Sequence, residues 1–135
     1  MKEEEITTLI KYRLEQARTA LDDAKFLLDN NRSTQSIVNR AYYAMFYATL
    51  ALLQKINKIP SKHTGVISLF DTEFVVKGIL PKELSKVFHK AFELRQFSDY
   101  KTFNPISEEK AEETLNNAVY FVDIITEYIA EQLKI

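Results

Sequence analysis

A chain of 135 residues suits one domain, residues 1–135, and at 46% hydrophobic it can bury a core without staples. Two glycines, three prolines and no cysteine exclude a glycine-cradled phosphate loop, a disulfide framework and a thiolate metal site, and they favour long helices. Eighteen basic residues against nineteen acidic, net −1, leave no general cationic surface for nucleic acid, so any such contact must rest on a local patch.

The first residues, MKEEEITT, are acidic and polar, unlike a secretory signal. The longest nearly apolar run, AYYAMFYATLALL at 41–53, falls short of the roughly 20 residues needed to span a bilayer. A soluble cytoplasmic protein with no membrane segment is expected.

Residues 3–30 predict a first helix, with Ile6, Ile10, Ala17, Ala20, Leu21, Ala24, Leu27 and Leu28 in one stripe and charged residues mostly opposite. Asp29-Asn30-Asn31 ends it. Ser33 is the expected N-cap of a second helix over about 34–57. That helix is apolar on two sides: Ile37, Ala41, Ala44, Met45, Ala48 and Leu52 on one, Tyr43, Phe46, Tyr47, Leu50 and Leu53 on the other. Such a helix is central to a bundle or lies partly in a subunit interface.

After the break at Ile59-Pro60, Ser61 is placed to cap a short helix through KHTGVISLFDTEFV, closed by Gly78. Pro81 suits the first turn of a fourth helix, about 81–99, whose core stripe is Leu84, Val87, Phe88, Ala91 and Leu94. Ser107 caps the last helix, where Ala111, Leu115, Ala118, Val122, Ile125, Ile129 and either Gln132 or Leu133 follow a 4-3-4-3 spacing. No segment carries the strand period. The expected fold is all-α: an antiparallel helical bundle of four long helices plus one short helix inserted before the fourth.

Two histidines without cysteine point away from a metal centre, and no cofactor is implied. His63, on the polar SKHTG segment, reads first as a surface residue at a helix start, and His89 as pointing to solvent. The acidic groups Glu3 to Glu5, Glu108-Glu109 and Glu112-Glu113 sit in first turns, where they complement the helix dipole. The tyrosines read mostly as core filler whose hydroxyls reach the rim.

Two arginines border apolar stripes. Arg95 lies four residues after Ala91, with Asp99 four further on and Tyr100 beside it. Arg40 shares one helix edge with Tyr43 and Tyr47. An internal ion pair such as Arg95 with Asp99 is one reading, although an exposed i,i+4 pair is worth only about 0.3–0.5 kcal/mol. A cleft for a phosphodiester or nucleotide is the other, because guanidinium matches phosphate bidentately. Spacing alone leaves the two even.

NRAYYAMFYATLALL, then KHTGVISLFDTEFV, then LPKEL…AFELRQFSDY resemble, in order, segments of the small stand-alone HEPN-domain proteins of bacteria and archaea, over about residues 10–125. The resemblance implies an HEPN-like bundle, also the fold type of nucleotidyltransferase substrate-binding subunits, that forms a homodimer. It further implies a partner, a minimal nucleotidyltransferase, in a two-gene system of toxin–antitoxin type. Many such proteins are metal-independent RNA-cleaving enzymes whose motif is an arginine followed, after four to six residues, by a histidine.

The motif's arginine matches Arg95. Its histidine has no counterpart: the candidate positions hold Tyr100, Lys101 and Thr102. Cleaving RNA without metal needs a group to take the ribose 2′-OH proton, and tyrosine, with an ordinary pKa near 10, is a poor base at neutral pH. Arg95, Asp99 and Tyr100, with Arg40, Tyr43 and Tyr47, therefore suit a nucleotide- or RNA-binding cleft more than a nuclease, and enzymatic activity stays open. Arg95 and Tyr100 are the catalytic candidates if activity exists, and His63 could supply an imidazole from another helix. A non-catalytic helical adaptor is the third reading.

Overall fold

The computed structural model describes residues 2–99 and 105–134, with the backbone alone for residues 97–99. It is an all-helical bundle: α1 (Glu3–Asp29), α2 (Thr34–Lys55), α3 (His63–Phe70) running into a π-helical turn (Asp71–Val75), α4 (Lys82–Asp99) and α5 (Glu108–Leu133). Among the described residues there is no strand, and no helix is long and apolar enough to cross a membrane.

The stripes read from the sequence are the buried ones. On α5, Ala111, Leu115, Ala118, Val122, Ile125 and Ile129 are buried; Leu133, not Gln132, packs against the core at the last position. On α4, Leu84, Phe88 and Ala91 are buried, and the Phe88 ring meets Phe70 at 5.7 Å and Phe121 at 5.1 Å. Edge-to-face and tilted pairs of this kind add about 0.5–1.5 kcal/mol each beyond their area.

α2 is the spine. It is buried almost all round, from Ile37 to Leu53, because α1, α3, α4 and α5 each pack on it. Of the two readings open for its double apolar surface, the central position is the correct one. One chain covers most of both sides and leaves Tyr43 and Tyr47 half-exposed along one edge.

Helix ends follow from local chemistry. Ser33 and Ser107 accept from the backbone N–H of Ser36 and Lys110, as expected. Ser61 does not cap α3: the N-cap position falls to Lys62, with no side-chain cap bond. Pro81 precedes α4, and its carbonyl accepts from Leu84 N–H. Three ends share one device. Asn31, Asn57 and Gly78 have φ of 53°, 57° and 74°, and each is bracketed by a pair of backbone bonds: Arg32 N–H to Leu27 O and Asn31 N–H to Leu28 O; Lys58 N–H to Leu53 O and Asn57 N–H to Gln54 O; Ile79 N–H to Phe74 O and Gly78 N–H to Val75 O. These are Schellman motifs, which satisfy the last carbonyls of a helix by turning one residue left-handed.

Candidate functional site

The chain leaves α2 through the Asn57 turn and returns along Ile59-Pro60 to start α3. A Cβ at Gly65 would sit 2.9 Å from the Pro60 Cβ. The missing side chain lets the loop close on the first turn of α3, and this fixes where His63, the first residue of that helix, is held.

His63 is half-buried against α2. Its ring stacks on Phe46 at 4.2 Å between centroids and meets Tyr43 edge-on at 5.8 Å. Its Nδ1 lies 2.9 Å from Tyr42 Oη. The reading of His63 as a plain surface residue is therefore corrected. It does start a helix, but the preceding loop folds its imidazole onto an aromatic wall.

Arg95 reaches the same wall from α4. Its guanidinium carbon is 5.4 Å from the Tyr42 ring centroid and 5.2 Å from that of Tyr43. A guanidinium over a tyrosine face gains about 0.5–1 kcal/mol where exposed and about 2 where desolvated. Arg40, on α2 itself, stands 5.2 Å from the same Tyr43 ring, and Tyr47 meets Tyr43 at 5.8 Å. Arg40 Nε and Nη2 donate to Asn39 Oδ1 at 3.2 and 3.0 Å. Five of the residues singled out from sequence, Arg40, Tyr43, Tyr47, His63 and Arg95, thus form one strip on α2, α3 and α4. The Asp99 side chain and Tyr100 lie outside the described residues.

The electrostatics follow from burial and from Arg95. Tyr42 is wholly buried, and burial first, with a smaller push from Tyr43, drives its hydroxyl far above the ordinary tyrosine range, although the Arg95 charge opposes this. It stays protonated. Burial, and then the Arg95 charge, lower the pKa of His63, so its imidazole is neutral at neutral pH. A neutral imidazole has two tautomers. With Nδ1–H donated to Tyr42 Oη, Nε2 keeps a lone pair and can take a proton; with Tyr42 donating to Nδ1, Nε2 carries the hydrogen and can only give one.

Tyr42 and Phe46 were not legible as site partners: both read as members of an apolar run. Asp71 was not singled out either. At the start of the π-helical turn it accepts from Ser85 Oγ at 2.7 Å and lies 2.6 Å from His89 Nε2. His89 is exposed, as expected, but this contact ties it to the turn.

The bundle and its arginine-centred aromatic cluster define a small helical domain in which guanidinium and imidazole groups lie against tyrosine and phenylalanine rings. The chain matches the HEPN domain model over residues 10–128 and belongs to the HEPN family. It is 43% identical over 126 residues to a UPF0332 protein of Thermotoga maritima, covering 93% of this chain and 94% of that one. It is 39% identical over 130 residues to a Methanocaldococcus jannaschii protein named as a candidate toxin, covering 96% and 92%. A UPF0332 protein of Gloeobacter violaceus is 33% identical over 119 residues, with 87% and 94% covered.

Proposed function

We propose that this chain is the RNA- or nucleotide-binding component of a two-gene system of toxin–antitoxin type. It would act as a homodimer beside a minimal nucleotidyltransferase and seat a phosphate at Arg95. The observation that carries the reading is the meeting of the Arg95 guanidinium and the His63 imidazole on one tyrosine pair. An arginine offers a planar fork to phosphate, and the rings offer faces for bases. The relatives named as candidate toxins support the biological setting.

Fluorescence anisotropy with a labelled single-stranded RNA tests the site: Arg95→Ala is expected to weaken binding at least tenfold, on the order of the 1.5–3 kcal/mol of a charge-assisted hydrogen bond. Unchanged affinity removes Arg95 from the site. Light scattering tests the dimer, and co-purification with the nucleotidyltransferase tests the partnership.

The position of His63 favours a second reading, metal-independent RNA cleavage. In the tautomer that leaves Nε2 unprotonated, His63 takes the 2′-OH proton. The 2′-oxygen then attacks phosphorus, the 5′-oxygen departs and is protonated from His63 or water, and a 2′,3′-cyclic phosphate remains. Arg95 balances the charge that grows on the phosphoryl oxygens. Incubation with RNA in the presence of a chelator should yield cyclic-phosphate ends with the wild type and none with His63→Ala or Arg95→Ala. Equal cleavage by all three proteins assigns the activity to a contaminant.

A further inference from the structure

Beyond Arg40 the strip runs into a groove of about 270 Å³ between α1 and α2, lined by Tyr12, Glu15, Gln16, Asp23, Arg40 and Tyr47 among others. The α1 residues recur at helical spacing, so one face of that helix supplies them. The groove is smaller than the ~300–1,000 Å³ of sites for drug-sized molecules and of a size for one planar ring system. Its chemistry is divided. Two tyrosines offer ring faces, and Glu15 and Asp23 are exposed carboxylates that make no ion pair among the described residues. Arg40, whose only described hydrogen-bond partner is the neutral Asn39, stands where the groove joins the Tyr43 ring.

We infer that this groove is a nucleobase subsite for the single-stranded RNA whose phosphate sits at Arg95, and that it selects guanine. The inference rests on the proposed RNA-binding reading. One Tyr43 ring lies 5.2 Å from each of two guanidinium carbons, so Arg95 and Arg40 are close enough to one aromatic step to hold successive phosphates. The next base then enters the groove on its α1 side, away from Arg40, where the Glu15 and Asp23 carboxylates repel phosphate but accept hydrogen bonds. Guanine presents two adjacent donors, N1–H and the exocyclic amine, which one carboxylate can accept together. Adenine presents a single amine beside an acceptor, and a single strand leaves this edge open to the protein.

The test is anisotropy with three labelled pentaribonucleotides, UUGUU, UUAUU and UUIUU, where inosine lacks the exocyclic amine of guanosine. The wild type is expected to bind UUGUU about tenfold more tightly than the other two, the size of a good bidentate base contact. The double replacement Glu15→Gln with Asp23→Asn removes that preference and leaves the weaker affinities in place; both side chains are exposed, so the melting curve should not move. Arg40→Ala weakens all three alike. A wild type that does not rank guanine first, or a ranking that survives the double replacement, overturns the subsite while leaving the phosphate seat intact. If Arg95→Ala changes nothing but guanine still ranks first, the phosphate seat is wrong and the subsite stands. Wild-type protein that binds none of the pentamers at millimolar concentration overturns both.

Discussion

Tyr42 Oη and His63 Nδ1 meet at 2.9 Å, joining a wholly buried residue of α2 to the first residue of α3. The Tyr42 ring also touches Phe88 and Phe92 of α4, so a single side chain ties three helices. Tyr42→Phe keeps this packing and deletes the hydrogen bond. Chemical denaturation should show a loss of about 1 kcal/mol, the usual net worth of such a bond, with more if the imidazole nitrogen is left dry.

The same pair sets how stability varies with pH. The folded state lowers the pKa of His63 from the ordinary 6.5, so the unfolded chain binds the proton more tightly. The associated stability is complete above 6.5 and is lost as pH falls from there through the folded-state value. For Tyr42 the shift is upward from 10.0, so its contribution is complete below 10.0 and is lost as pH rises past it. Urea midpoints measured on both sides of 6.5 should converge in His63→Gln relative to wild type, and Tyr42→Phe should flatten the alkaline limb.

Gly65→Ala places a methyl 2.9 Å from Pro60. The loop must back away from the first turn of α3, and overpacking of this kind costs about 1–3 kcal/mol. His63 moves with that turn. Its ring protons, shielded by Phe46 beneath them, should shift in the NMR spectrum, whereas those of the exposed His89 on α4 should not.

Gly78→Ala meets no atom within 4 Å, yet φ is 74° there. The expected loss is about 1–2 kcal/mol, the cost of a left-handed conformation for a residue with a Cβ. Thermal denaturation checks it. Asn31→Gly and Asn57→Gly, which relax the same conformation at the ends of α1 and α2, should raise the melting temperature slightly.

The bundle was readable because its helices are long and their buried faces recur at three- and four-residue steps, as the Ala111-to-Ile129 series shows. The π-helical turn at Asp71–Val75 was not, since no residue in DTEFV distinguishes it from a continued α-helix. Arg95 was readable as unusual, because it borders the face built by Phe88 and Ala91. The link between Arg40 and Tyr43 followed from their three-residue spacing. The approach of His63 to Arg95 did not. It depends on how Pro60 packs on Gly65 and on α3 lying over α2, contacts that no periodicity encodes.

Tyr42 and Tyr43 are consecutive, yet one is sealed in the interior and the other forms the middle of the guanidinium strip. The backbone that holds the interior together is therefore the floor on which the half-exposed rings of the proposed site stand. Under the proposed RNA-binding reading, changes of ligand preference cannot easily arise on that helix without endangering the fold. The outward side chains of α1, which carry no interior packing, are where such variation can accumulate at little risk.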